Sequence, residues 1–152
     1  MNGSVFSILL VDDDLNDIEL ALAALEELQI DAEVAVARDG HEALEFLLRE
    51  GRYANRTGGC PALVLLDVKL PKLTGLQVLQ RIKALPLLRR IPIVMLTSSR
   101  EERDLVESYD LGANAYVVKP VGFEEFVQTL RDTCVFWVAV NQRPVPHRAC
   151  AE

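Results

Sequence analysis

Val5-Phe6-Ser7-Ile8-Leu9-Leu10-Val11 runs directly into Asp12-Asp13-Asp14. The first seven residues are almost continuously apolar, as in a strand covered on both faces, and do not alternate as a half-exposed strand would. The three aspartates end the run abruptly. No basic segment precedes it, so it does not read as a secretion signal. A strand that closes on clustered carboxylates points instead to a site at the edge of a sheet.

Working outward, the same grammar repeats. Ile18, Leu22, Leu25 and Leu28 recur at helical spacing over Leu15–Gln29. Glu33–Ala37 is a short strand with Val34 and Val36 alternating. Asp39, followed three residues on by Glu42, predicts a capped helix carrying Ala43, Leu44, Leu47 and Leu48 and ending near Gly51. Arg52–Pro61 reads as a polar loop. Leu63–Leu66 is the third strand, Pro92–Thr97 the fourth and Ala115–Val118 the fifth. Thr74 with Gln77, and Ser99 with Glu102, predict two further capping boxes, whose helices run to about Leu85 and to Gly112. Phe123–Val140 is the last helix, with Phe126, Val127, Leu130, Cys134 and Trp137 on one stripe. Val135-Phe136-Trp137-Val138 is consecutively apolar, more than one helical face can bury. Residues 1–140 therefore read as one domain and residues 141–152, with Pro144 and Pro146, as a tail.

Five strands alternating with five helices predict an α/β fold, a doubly wound parallel sheet with helices on both faces. Length and composition agree. The chain has 152 residues, 50% of them hydrophobic and 26% charged, enough for one well-filled core. Sixteen Lys+Arg against 23 Asp+Glu leave 16 − 23 = −7, which argues against binding nucleic acid through its phosphates. No apolar run approaches a membrane span, so neither membrane nor nucleic acid is an expected partner and a cytoplasmic location is expected. Cys60, Cys134 and Cys150 are odd in number and widely spaced, which favours reduced thiols.

In such sheets ligands bind beyond the carboxyl ends of the strands. Asp12, Asp13 and Asp14 follow the first strand, Asp67 the third, Thr97 and Ser98 the fourth, and Lys119-Pro120 the fifth. Carboxylates gathered there repel one another and call for a hard cation such as Mg²⁺. A lysine and a hydroxyl in the same crevice suit an anion rich in oxygen. Together they suggest Mg²⁺-assisted phosphoryl transfer with an aspartate as acceptor. Asp14 and Asp17 read as capping and dipole residues of the first helix. His41 reads as a solvent-facing helix residue and His147 as part of the tail.

The pieces Leu10-Val11-Asp12-Asp13, Asp39-Gly40-x-Glu42-Ala43-Leu44, Leu66-Asp67-x-x-Leu70-Pro71-x-x-x-Gly75, Leu96-Thr97-Ser98 and Gly112-Ala113-x-x-Tyr116-x-x-Lys119-Pro120 occur in one order and register. Over roughly Val5–Val140 the chain resembles the receiver domains of two-component response regulators. The resemblance implies a flavodoxin-like sheet of order 2-1-3-4-5. It implies that Asp67 accepts a phosphoryl group from a histidine kinase or phosphotransfer protein, with Thr97 and Lys119 contacting the phosphoryl oxygens. It implies that Asp13, Asp67 and the Lys69 carbonyl ligate Mg²⁺, while Asp12 orients metal-bound water. Thr97 and Tyr116 would be the switch pair and the Lys119–Pro120 bond would be cis. Such a chain is a signalling protein that sheds its own phosphoryl group rather than an enzyme. Lys69 departs from the uncharged polar residue common at its position, which predicts a changed dephosphorylation rate.

The loop Glu50–Asn55 and the Phe136-Trp137-Val138 ending resemble single-domain receivers that partner bacterial phytochrome kinases and form homodimers. No DNA-binding output module is expected after the last helix. Three other classes compete. A pseudo-receiver acting as a dimeric interaction module would not need the aspartate–lysine set. An aspartyl-phosphate hydrolase would want an acid where Lys69 stands. A dinucleotide enzyme would want G-x-G-x-x-G after the first strand.

Overall fold

The computed structural model describes residues 6–29 and 32–142. Within them lie strands β1 (Phe6–Val11), β2 (Ala32–Ala37), β3 (Leu63–Leu66), β4 (Ile93–Thr97) and β5 (Ala115–Val118). Between and after them come helices α1 (Leu15–Leu28), α2 (Gly40–Leu48), α3 (Gly75–Ala84), α4 (Glu102–Asp110) and α5 (Phe123–Cys134). The readings on Val5, His147 and Cys150, and on the tail from position 143 onward, lie outside the described residues.

The sheet has the order β2-β1-β3-β4-β5 and every pairing is parallel. Its apolar runs are continuous because each strand feeds two cores. Leu9, Val11, Val64, Leu66, Ile93 and Met95 face α2 and α3, meeting Leu47, Val78, Leu79 and Ile82. Their neighbours Ile8, Leu10, Leu63, Leu65, Val94 and Leu96 face α1 and α5, meeting Ile18, Leu25, Phe126 and Leu130. Each of these larger side chains contributes about 1.5–3 kcal/mol by leaving water. That burial on both faces holds the strand ends, and so the site, in place.

Helix starts match the predicted signals in part. Asp14 caps α1, accepting from the backbone N–H groups of Asn16 and Asp17. Thr74 and Gln77 close a full capping box on α3. Asp39 caps α2 through the Glu42 N–H, but the Glu42 carboxylate accepts from Arg38 N–H, one residue before the cap. The box predicted at Ser99 does not form. The N-cap of α4 is Glu101, and its side chain makes no capping bond. The Ser99 hydroxyl instead donates to Asp104 Oδ2 at 2.6 Å.

Two more readings are corrected. The final helix is not uniform: α5 passes into a π-helical segment, Val135–Val140. The wider turn buries Val138 and leaves Val135, Phe136 and Val140 exposed, as four consecutive apolar residues require of a single helix. Cys134 is a buried free thiol, whereas Cys60 is disulfide-bonded, against the expectation of reduced thiols throughout. The polar loop after α2 also contains a 3-10 turn, Gly51–Tyr53, and Arg56 lies over the Phe46 ring at 4.1 Å.

Candidate phosphoryl-accepting site

Asp12, Asp67 and Lys119 each sit one position past their strand and are pinned by a last inter-strand bond, while Thr97 is the last residue of β4. Asp12 N–H donates to Ala37 O, Asp67 N–H to Val11 O and Lys119 N–H to Thr97 O. Gly75 lets the start of α3 close in behind Asp67. Its N–H donates to Val68 O at 2.9 Å, and a Cβ there would overlap the Asp67 carbonyl.

The side chains of Asp12, Asp67 and Lys119 come together at this edge. Lys119 Nζ lies 2.6 Å from Asp12 Oδ2 and 3.1 Å from Asp67 Oδ2. Asp12 is 3% exposed, Asp67 8% and Thr97 fully buried. Burial pushes the Asp12 carboxyl above its usual range, against the lowering effect of its Lys119 bond. Burial disfavours the Lys119 ammonium, but the Asp67 charge and the bonds to Asp12 and Asp17 outweigh it and raise its pKa. Thr97 Oγ1 accepts the Ser99 N–H at 3.2 Å, and the Tyr116 hydroxyl donates to the Ser99 carbonyl at 3.0 Å.

Asp13 and Lys69 stand at the margin. The Asp13 side chain is exposed, on the rim of a groove shared with Lys69, Pro71 and Asp104. Lys69 N–H donates to Asp67 Oδ1 at 3.2 Å, while its ammonium reaches out to Glu101 at 3.6 Å.

Asp17 was missed in this role. Read as a capping and dipole residue, it places Oδ2 2.9 Å from Lys119 Nζ. Among the described residues, Asp12, Asp17 and Asp67 are the carboxylates whose oxygens gather within 4.8 Å of one another. Asp17 lies in the first turn of α1, and no local pattern in the sequence singled it out. When ionised, three carboxylates and one ammonium sum to −2, a charge that hard oxygen donors present to a divalent cation. The donor set therefore fits a divalent-metal site. Beside it, Asp17, Ser98, Arg100, Lys119 and Phe123 line an open cleft of about 330 Å³.

The comparisons with known proteins agree with this fold. Residues 8–131 match the response regulator receiver domain model. Response regulator Rcp1 of Synechocystis sp. is 40% identical over 137 residues, covering 90% of this chain and 92% of that protein. A solved Mn(2+)-bound form of Rcp1 superposes with a TM-score of 0.83 at 38% identity, over 92% of this chain and 99% of that one. The phosphorylated cyanobacterial phytochrome response regulator RcpA gives 0.87 at 40% identity, over 93% and 99% of the two chains. The bacteriophytochrome response regulator AtBRR is 57% identical with a TM-score of 0.75, over 92% of this chain and all of that one. With its fold, its strand-end residues and these likenesses in agreement, the chain belongs to the response regulator receiver family of two-component signalling.

Proposed function

We propose that this chain is a phospho-accepting switch in which Asp67 receives a phosphoryl group from a histidine kinase or phosphotransfer protein. The observation that carries this reading is the Lys119 ammonium set between the buried Asp12 and Asp67 carboxylates. In the transfer an Asp67 oxygen bonds to phosphorus, the bond from phosphorus to the donor histidine nitrogen breaks, and that nitrogen regains its electron pair and a proton. Mg²⁺ is the proposed cofactor, held by Asp12, Asp13, Asp67 and the Lys69 carbonyl. When bound it neutralises charge on the phosphoryl oxygens. Lys119 meets the same oxygens as a fixed positive charge, and the Thr97 hydroxyl turns from Ser99 to donate to one of them.

Names among the relatives support a bacteriophytochrome as the kinase. A homodimer is supported by exposed apolar side chains on α4 and at the end of α5, among them Leu105, Val106, Tyr109 and Phe136. Incubating the protein with a small phosphodonor and Mg²⁺ tests the switch. Wild type gains the mass of one phosphoryl group and Asp67→Asn gains none. No Mg²⁺-dependent gain by wild type rejects it. Phe136→Glu should lower the oligomer size in light scattering, and an unchanged size rejects the dimer surface.

A further inference from the structure

Four hydrogen bonds converge on Ser99. Its N–H donates to Thr97 Oγ1 and its carbonyl accepts from the Tyr116 hydroxyl. Its own hydroxyl donates to Asp104 Oδ2 at 2.6 Å and accepts the Glu101 N–H at 3.3 Å. Asp104 is a carboxylate only 5% exposed, and Ser108, whose hydroxyl donates to the Asp104 carbonyl at 2.7 Å, is fully buried. A charge is buried at this cost only where a strong partner holds it, and a short O–H···O⁻ bond is such a partner.

Asp104 is the third residue of α4, the place from which a carboxylate normally reaches back to the N-cap N–H. Here the Ser99 hydroxyl is interposed between the Glu101 N–H and the Asp104 carboxylate. The start of α4 thus hangs on the one loop residue that also holds Thr97 and Tyr116.

The geometry points to Asp104 as a positioning residue that, through the Ser99 hydroxyl, holds Thr97 and Tyr116 and ties them to the N-terminus of α4. When Thr97 Oγ1 turns away, the Ser99 N–H loses its acceptor. The loop then shifts, and the start of α4 follows or its bond to Ser99 breaks. The exposed Leu105 and Val106 come directly after Asp104 and Tyr109 follows within the same helix, so the movement is displayed on an apolar surface. The signalling role rests on Asp67 being the phosphoryl acceptor. The coupling itself belongs to the unmodified chain and is tested there.

Fluorotyrosine incorporated at the three tyrosines gives fluorine NMR signals that Tyr→Phe variants assign. In unmodified protein, Ser99→Ala and Asp104→Ala should move the Tyr116 signal in the same direction. The double variant should move it no further than either single one, because they break one chain of bonds. Ser99→Thr and Asp104→Asn keep a hydroxyl and an acceptor and should restore most of the wild-type shift. Mg²⁺ affinity should change less than about twofold in these variants, since residues coupled through no shared partner act independently. A Tyr116 signal unmoved in folded Ser99→Ala and Asp104→Ala, or additive shifts in the double variant, overturns the coupling. If the alanine variants do not fold, loss of the Tyr116 signal position in Ser99→Thr alone overturns it. Failure of wild type to accept phosphoryl would instead strike the proposed function and leave these shifts as they are.

Discussion

Replacing Lys119 by Met keeps the stem and removes the charge. Its ammonium stands 2.6, 2.9 and 3.1 Å from carboxylate oxygens of Asp12, Asp17 and Asp67. At an effective dielectric constant of about 20 each contact is worth roughly 5–6 kcal/mol gross. Asp17 counts for less, because a third of its side chain meets water. Desolvation of the ammonium and of two buried carboxylates offsets most of the remainder. Breaking such a pair from one side typically costs about 3–5 kcal/mol, because it strands the opposing charges. Lys119→Met should therefore lose about 3 kcal/mol of unfolding free energy in urea at neutral pH, out of a total of about 5–15 kcal/mol. Two signatures separate this cause from simple packing damage. Burial already lifts the Asp12 carboxyl, and without the lysine it should take up a proton more readily still. The loss should then shrink as pH falls, since protonating Asp12 removes a stranded charge. Added Mg²⁺ should stabilise the variant more than wild type, with affinity about tenfold tighter, since no ammonium competes for the same oxygens. A loss below about 1 kcal/mol, or one indifferent to both pH and Mg²⁺, would refute the electrostatic account of the cluster.

Tyr53 donates to Glu42 Oε2 at 2.7 Å, and burial followed by that carboxylate pushes its phenol up to about 12. This contribution to stability is present below the ordinary value of 10.0 and is lost as pH climbs through about 12; the phenolate absorbance should show one late-titrating tyrosine, absent in Tyr53→Phe. Gly75→Ala forces a methyl into the Asp67 carbonyl and should cost about 1–3 kcal/mol in urea melts while slowing phosphoryl uptake; an unaltered uptake rate would show that Asp67 does not depend on this close approach. Lys69→Asn breaks an exposed bridge to Glu101 and should change stability by less than about 1 kcal/mol. It should nevertheless change the phosphoryl lifetime, because it replaces the side chain two residues beyond Asp67, and equal lifetimes would sink that role.

Most strands were legible because burial on both faces leaves a continuous apolar run, their order came from the family resemblance, and parallel pairing puts every strand end on one edge. Asp12, Asp67, Thr97 and Lys119 could be brought together on paper for that reason alone. The helix caps were legible where a single side chain closes them locally, at Asp14 and at Thr74. They failed at Ser99, whose hydroxyl donates to Asp104 and accepts the Glu101 N–H instead of capping the helix three residues on.

What the tertiary structure alone decided is which charges share the site. Lys119 bonds to residues 107, 102 and 52 positions away in sequence, and no local pattern ranks Asp17 above Asp13 as its partner. The order of residues determined a sheet edge rich in carboxylates, because strand burial and strand ends are properties of consecutive residues. Asp17 reaches Lys119 because Ile18 and Leu25 pack α1 onto the face of the sheet that also holds Leu130 of α5, a contact that exists only once the chain has folded.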